Sequence, residues 1–286
     1  MLDGYRIFDA HMHFGGIFMG KKENLIQFMD RNGIDAGIVN TLNTDANMAN
    51  FMSMPPAELK AKIQDPSFNL FDKFRSMGQP DHSAVYKLAE TAPSRVYPFF
   101  WYNPADPNDT DPDQTRSLSE LDVAIEKGCR GVKLQLAMTH CESTRLMPVA
   151  KFCAKHGLPL YVHLSAGVFG STRSETQEII ELARLYPKLS LIIGHAAYSM
   201  EFYIEVIGYA LGLDNVYFET STSIPFGIAM YAKVFGTDHV LFGSDTPPAG
   251  PFHIEYEKIK ALNFSKEEKQ FILADNIARL LKISIN

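Results

Sequence analysis

Eight short apolar runs, each followed by a longer stretch of helical periodicity, constrain this chain more than any other feature. They are Arg6–His13, Ala36–Leu42, Arg95–Tyr102, Gly131–Leu136, Leu158–Leu164, Leu189–His195, Val216–Ser221 and Val240–Ser244. Most of them start roughly 30 residues apart, the size of a strand–helix–strand unit. The helical stretches are punctuated by chain-reversing residues. Glu23–Asn32 stops at Gly33, Ser117–Lys127 at Gly128, Thr144–His156 at Gly157 and Ser174–Tyr186 at Pro187. Glycine just past a helix supplies a left-handed C-terminal cap, and proline cannot continue the helix. Ser117 or Ser119 is positioned to cap the start of the second helix. Runs such as LSLIIG, apolar at nearly every position, suit parallel strands buried on both faces. Alternation of this kind predicts an α/β fold, and eight units predict one (β/α)8 barrel of the TIM type spanning residues 1–286.

The interval between the second and third runs is much longer than the rest. Thr44–Pro80 is rich in Met, Phe and Pro and reads as an insertion with two short helices, Ala57–Gln64 and Phe68–Met77. Following strand two, it belongs over the C-terminal face of the barrel, as a lid or pocket wall, with an arm for dimer contacts as the rival reading. The formal net charge of −6 argues against a nucleic-acid surface. Three cysteines without a CxxC pair, Cys129, Cys141 and Cys153, read as reduced thiols. The opening MLDGYRIFDAHMHF has no basic segment leading an apolar core, and no apolar run reaches a membrane span, so a cytoplasmic chain is expected.

The chemistry gathers at the ends of these runs. His11 and His13 lie two apart on the first strand and so share a face. Two adjacent imidazoles fill a core poorly but serve well as ligands for a metal such as zinc. Lys133 lies in the fourth run, His163 ends the fifth, His195 ends the sixth and Asp245 follows the eighth. C-terminal strand ends of a barrel face one common pocket, so all six side chains are expected to converge. Asp9 precedes the histidines in the same phase and is expected deeper, as a hydrogen-bond partner behind them.

In order and spacing, FDAHMHF, GVKL, YVHLS, IIGHA, FGSDTP and the terminal ILADNIARLL resemble the amidohydrolase superfamily. The likeness is nearest to the branch that includes aminocarboxymuconate semialdehyde decarboxylase and related aromatic-acid decarboxylases, and it runs from Ile7 to Leu281 apart from the insertion. The resemblance implies a divalent metal held by His11, His13, His163 and Asp245, with Asp245 and His195 as the catalytic acid–base groups. Zinc is the first expectation, and Mn, Fe, Co and Ni suit the same donors. Lys133 departs from the decarboxylase pattern. In two-metal hydrolases of the superfamily a lysine there is carboxylated and bridges two ions, with the two later histidines, His163 and His195, on the second. In one-metal relatives its amine stays free to bind a substrate carboxylate. One ion per chain with an unmodified Lys133 is the reading adopted.

Around this centre, Arg173, His140, His253 and Tyr102 are candidate substrate contacts, and Phe14, Trp101 and Asn103 also fall at strand ends. The expected activity is hydrolysis of a C–N or C–O bond in a small substrate by metal-activated water. Non-oxidative decarboxylation of a small unsaturated or aromatic acid is the alternative. A non-catalytic binding barrel is a third reading, and the completeness of the donor set counts against it. Small molecules are the expected partners, with no nucleic acid and no membrane, and a homodimer is implied only by the family.

Overall fold

The computed structural model describes residues 1–16, 23–41, 54–65, 67, 78–136, 139, 141–164, 173–248 and 251–284, and leaves aside the side chains of 173 and 174. Eight parallel strands lie in sequence order: β1 (Phe8–Phe14), β2 (Ala36–Thr41), β3 (Val96–Trp101), β4 (Gly131–Gln135), β5 (Pro159–His163), β6 (Ser190–Ile193), β7 (Val216–Glu219) and β8 (Val240–Leu241). Backbone bonds from Ala10 N to Phe242 O and from His13 N to Thr246 O, each 2.8 Å, bring the last strand back to the first. The result is a (β/α)8 barrel.

The helices, in chain order, are α1 (Leu25–Asn32), α2 (Pro56–Gln64), α3 (Ser83–Thr91), α4 (Thr115–Glu126), α5 (Met147–His156), α6 (Arg173–Leu185), α7 (Met200–Ala210), α8 (Pro225–Phe235), α9 (Phe252–Ala261), α10 (Lys266–Gln270) and α11 (Asn276–Leu281). Gly33 and Gly157 cap α1 and α5 in the left-handed conformation, as their positions predict. The start of α4 differs from expectation. It begins at Thr115, and its first-turn N–H groups are taken by upstream aspartates, Asp111 at Thr115 N and Asp109 at Ser117 N. Of the insertion, α2 is described and buries no side chain, while Phe68–Met77 lies outside the described residues. The three cysteines are free. Among the described residues no helix is long and apolar enough to cross a membrane.

Two apolar layers follow from strand alternation. Met12, Val39, Phe100, Tyr102, Val132, Leu134 and Val162 pack outward under the helices. Phe8, Ala10, Ile38, Phe99, Tyr161, Ile192 and Leu241 fill the interior, and Ala274, Ile277 and Leu281 join that cluster. On β1 the pairing register shifts between Asp9 and Met12. Phe8 and Ala10 face inward before the shift, and Met12 and Phe14 face outward after it. A bulge adds one residue and so exchanges the faces. Asp9 therefore does not share the phase of His11 and His13, a correction to simple alternation. Gly37 accommodates it: a Cβ there would lie 3.4 Å from Asp9 Cβ and 2.7 Å from its carbonyl oxygen.

Candidate metal centre

Past the bulge, His11 and His13 reach the upper interior of the barrel, both buried. His11 Nε2 lies 3.0 Å from His13 Nε2 and 3.4 Å from Asp245 Oδ1, and His13 Nε2 lies 3.1 Å from the same oxygen. Ligand atoms held about 2.1 Å from one ion, at octahedral or tetrahedral angles, stand roughly 3.0–3.5 Å apart. The three atoms meet that spacing.

Their protonation fits as well. His13 Nδ1 faces the Thr41 carbonyl at 3.4 Å, an oxygen that can only accept, so the ring proton belongs on Nδ1. Lys133 Nζ lies 2.7 Å from His11 Nε2, which places a lone pair on that nitrogen. Burial, with Lys133 second, lowers the His11 pKa well below that of an ordinary imidazole. Burial raises Asp245, but His11, His13 and His195 outweigh it and hold the carboxylate ionised. Two ring nitrogens and a carboxylate oxygen thus converge as a donor set that a cation could bridge, with Lys133 Nζ also at His11 Nε2.

One carboxylate sets both ring tautomers. Glu219, at the end of β7 and fully buried, accepts from Tyr161 Oη (2.6 Å), Ser221 Oγ (2.8 Å), His195 N (3.1 Å) and Ser221 N. Tyr161 stays a phenol because burial and Glu219 push its pKa far up. Having given its proton to Glu219, Tyr161 Oη accepts from His11 Nδ1 at 2.8 Å. Ser221 Oγ likewise accepts from His195 Nδ1 at 2.9 Å. Both imidazoles are thereby held as Nδ1–H tautomers, with Nε2 turned to the pocket. Gly194 and Gly243 make room: a Cβ would fall 2.4 Å from Tyr161 Oη at the first and 2.2 Å from Glu219 Oε1 at the second.

His195 and Asp245 lie just beyond their strands, with φ of 52° and 51°, and Thr222 has φ 55°. Non-glycine residues adopt this left-handed region at a cost, and such strain clusters at functional sites. His195 Nε2 comes 3.6 Å from Asp245 Oδ2 and 3.0 Å from His163 Nδ1. His163, half-buried, therefore meets the cluster through His195, and burial lowers its pKa too, followed by His195 and Lys133. Lys133 is fully buried with Nζ 3.8 Å from the Tyr161 ring centroid. Burial depresses its pKa to about 7, against the pull of Asp245 and Glu219. Asp9 accepts from His11 N (3.0 Å) and Ser244 N (2.9 Å), bracing the two strand ends that carry the ligands, and burial pushes its pKa up to about 7.

The outer candidates fare differently. Tyr102 is buried in the outward layer and donates to Gln114, just before α4, because it follows the inward-facing Trp101 by one residue. It is thus removed from the candidate contacts. His253 is exposed on the first turn of α9. His140 and the Arg173 side chain lie outside the described residues. Glu219 and Tyr161 were missed. The available signal was a lone acid in the apolar run VYFETS, and a tyrosine two residues before His163 in its own phase.

Two donor groups emerge among the described residues, His11–His13–Asp245 and His11–His195–Glu219. The amidohydrolase family profile matches residues 8–283. No curated protein matches the sequence. Among solved structures, a 5-carboxyvanillate decarboxylase from Sphingomonas paucimobilis is similar with a TM-score of 0.65 and 14% identity, over 98% of this chain and 100% of that one. A 4-oxalomesaconate hydratase from Rhodopseudomonas palustris has a TM-score of 0.65 and 16% identity, over 96% and 95%. A 5-carboxyvanillate decarboxylase from Novosphingobium aromaticivorans, complexed with manganese and a nitrobenzoic acid, has a TM-score of 0.61 and 16% identity, over 98% and 97%.

Proposed function

The chain belongs to the amidohydrolase family, and from that premise we propose that it is a metal-dependent carboxy-lyase, removing CO2 without oxidation from a small aromatic or unsaturated acid. This reverses the order of the two expected reactions, hydrolysis first and decarboxylation second. The observation that carries it is the commitment of Glu219. Its oxygens already accept four hydrogen bonds, and the donor group containing it shares His11 with the other. Among the described residues that leaves His11–His13–Asp245 as the set to take an ion, with His163 proposed as the fourth ligand, and one ion rather than a bridged pair. The decarboxylases among the similar structures support the same choice.

A bound divalent ion polarises substrate oxygens and stabilises negative charge that develops on them. The lone pair of His11 Nε2 serves either the ion or the Lys133 amine, so with an ion bound Lys133 is released as a point charge for a substrate carboxylate. When the carbon–carboxyl bond breaks, its electron pair stays on the ring or alkene carbon and needs a proton. His195 is placed to relay that proton through Nε2, taking it up from solvent, with Nδ1–H held by Ser221 and Asp245 Oδ2 3.6 Å from Nε2.

Hydrolysis keeps one observation in its favour: the Lys133 amine, with its pKa near 7, is partly neutral and so able to take up CO2 as a carbamate. Elemental analysis of protein purified without chelator separates the two, with Zn and Mn as the ions to reconstitute. About one ion per chain, retained in Lys133→Ala, together with CO2 release from a panel of hydroxybenzoates, supports decarboxylation. Two ions falling to one or none in the variant, with no CO2 release, supports hydrolysis.

A further inference from the structure

Three buried side-chain atoms on the interior of neighbouring strands have no hydrogen-bond partner: Asn40 Oδ1 on β2, Trp101 Nε1 on β3 and Gln135 Oε1 on β4. Their residues are 0%, 2% and 5% exposed. Buried polar atoms are nearly always paired, so orphans gathered beside a catalytic centre point to a ligand. The strand register sets them there: Asn40 beside His13, Trp101 beside Lys133 and Gln135 beside His163. The Asn40 amide is held by a bond from Nδ2 to Met12 O at 3.2 Å. The other two carry nothing comparable. The Trp101 indole stands edge-on to His13, with ring centroids 6.4 Å apart and planes at 69°. Its backbone N–H donates to His82 Nε2 at 2.7 Å, which anchors β3 under the ring.

We infer that Trp101 and Gln135 orient the substrate through a hydroxyl group on the acid. The inference rests on the carboxy-lyase reading, in which the carboxylate faces the His11–His13–Asp245 cluster and Lys133. A hydroxyl oxygen accepts one hydrogen bond while its proton donates another. A single hydroxyl has the acceptor and the donor that the two orphans need, accepting from Trp101 Nε1 and donating to Gln135 Oε1. A methyl group of similar size leaves both unpaired and binds more weakly for that reason. The two residues set specificity and orientation, while the chemistry stays with His195 and Asp245.

Trp101 is the sole tryptophan of the chain, so its indole N–H gives one resonance in protein labelled with 15N-tryptophan. Zinc-loaded protein is titrated with 2-hydroxybenzoate, 2-methylbenzoate and benzoate. The expected result is binding of all three, with the indole proton moving downfield only for 2-hydroxybenzoate. In Trp101→Phe and in Gln135→Leu, each checked for zinc content, the preference for 2-hydroxybenzoate over 2-methylbenzoate falls about three- to tenfold, the worth of one neutral hydrogen bond. Binding of 2-hydroxybenzoate with an unmoved indole resonance, or variants that keep the full preference, overturns the assignment and leaves the carboxy-lyase reading standing. Failure of all three acids to bind zinc-loaded protein overturns both.

Discussion

Replacing Glu219 with glutamine keeps the size of the side chain and removes one acceptor. Oε2 takes three of the four hydrogen bonds, from Tyr161, Ser221 Oγ and the His195 backbone, and Oε1 takes one, from Ser221 N. Whichever way the new amide turns, its NH2 meets at least one N–H or O–H donor head-on. The less damaging orientation sets it against Ser221 N, which loses one bond to a charged acceptor, worth about 1.5–3 kcal/mol. The other three bonds persist but become bonds to a neutral oxygen. No escape lies toward Gly243, where even an added Cβ would sit 2.2 Å from Oε1. The consequence for the metal follows from the two relays. His11 and His195 are less firmly held as Nδ1–H tautomers, and loss of such support behind a ligand costs about 10- to 100-fold in metal affinity. Competition for zinc against a chromogenic chelator measures this directly, with a melting curve to confirm that the variant is folded. A folded Glu219→Gln protein that holds zinc within twofold of wild type would refute the argument that this carboxylate orients the ligands.

Three further outcomes are expected. His82 is buried, stacks on Phe100 and accepts the Trp101 backbone N–H, and burial pushes its pKa down to about 4. Between that value and the unfolded value of about 6.5 the unfolded chain binds more protons, so stability rises with pH across this window and falls by about 3 kcal/mol on acidification. Denaturant curves at pH 4 and pH 7 check this: His82→Gln, which still offers an acceptor to Trp101, flattens the slope, and an unchanged slope would exclude His82 as its source. Gly194→Ala forces a methyl group to within 2.4 Å of Tyr161 Oη and displaces it, so zinc retention is expected to drop along with thermal stability. Cys129 lies buried with its pKa pushed up to about 12 by burial, and Cys153 is buried with its pKa raised further. Under native conditions near pH 8 both should resist a thiol reagent and react only in denaturant, and fast labelling of either would mean that the surrounding layer opens readily.

Much of the fold and part of the centre are legible in the linear order of residues, because those features depend on neighbours along the chain. The alternation of apolar runs with helical stretches is local, and so are the glycine caps at Gly33 and Gly157. The pairing of His11 with His13 needs only a strand's two-residue period, and C-terminal strand ends meet in any such barrel. The same local rule misassigned Asp9, because a bulge that appears only when β1 pairs with β2 shifts the phase after Ala10. It also left Tyr102 in the pocket, although one residue separates it from Trp101 and puts it among the helices. Glu219 ends β7 with Ser221 two residues beyond it, while Tyr161 lies on β5 and His195 follows β6. Nothing in their own segments tells that they touch, since their partners stand 58 residues away in one case and 26 in another. Only closure of the barrel brings them together, and burial then makes each tautomer, and each orphaned indole or carboxamide, a matter of what lies across the interior. The residue types able to hold a metal are thus a property of the sequence. Which nitrogen faces it, which carboxylate is already committed and which polar atoms still lack a partner are decided by the tertiary structure, because hydrogen bonds in a buried site are set by distance and not by order along the chain.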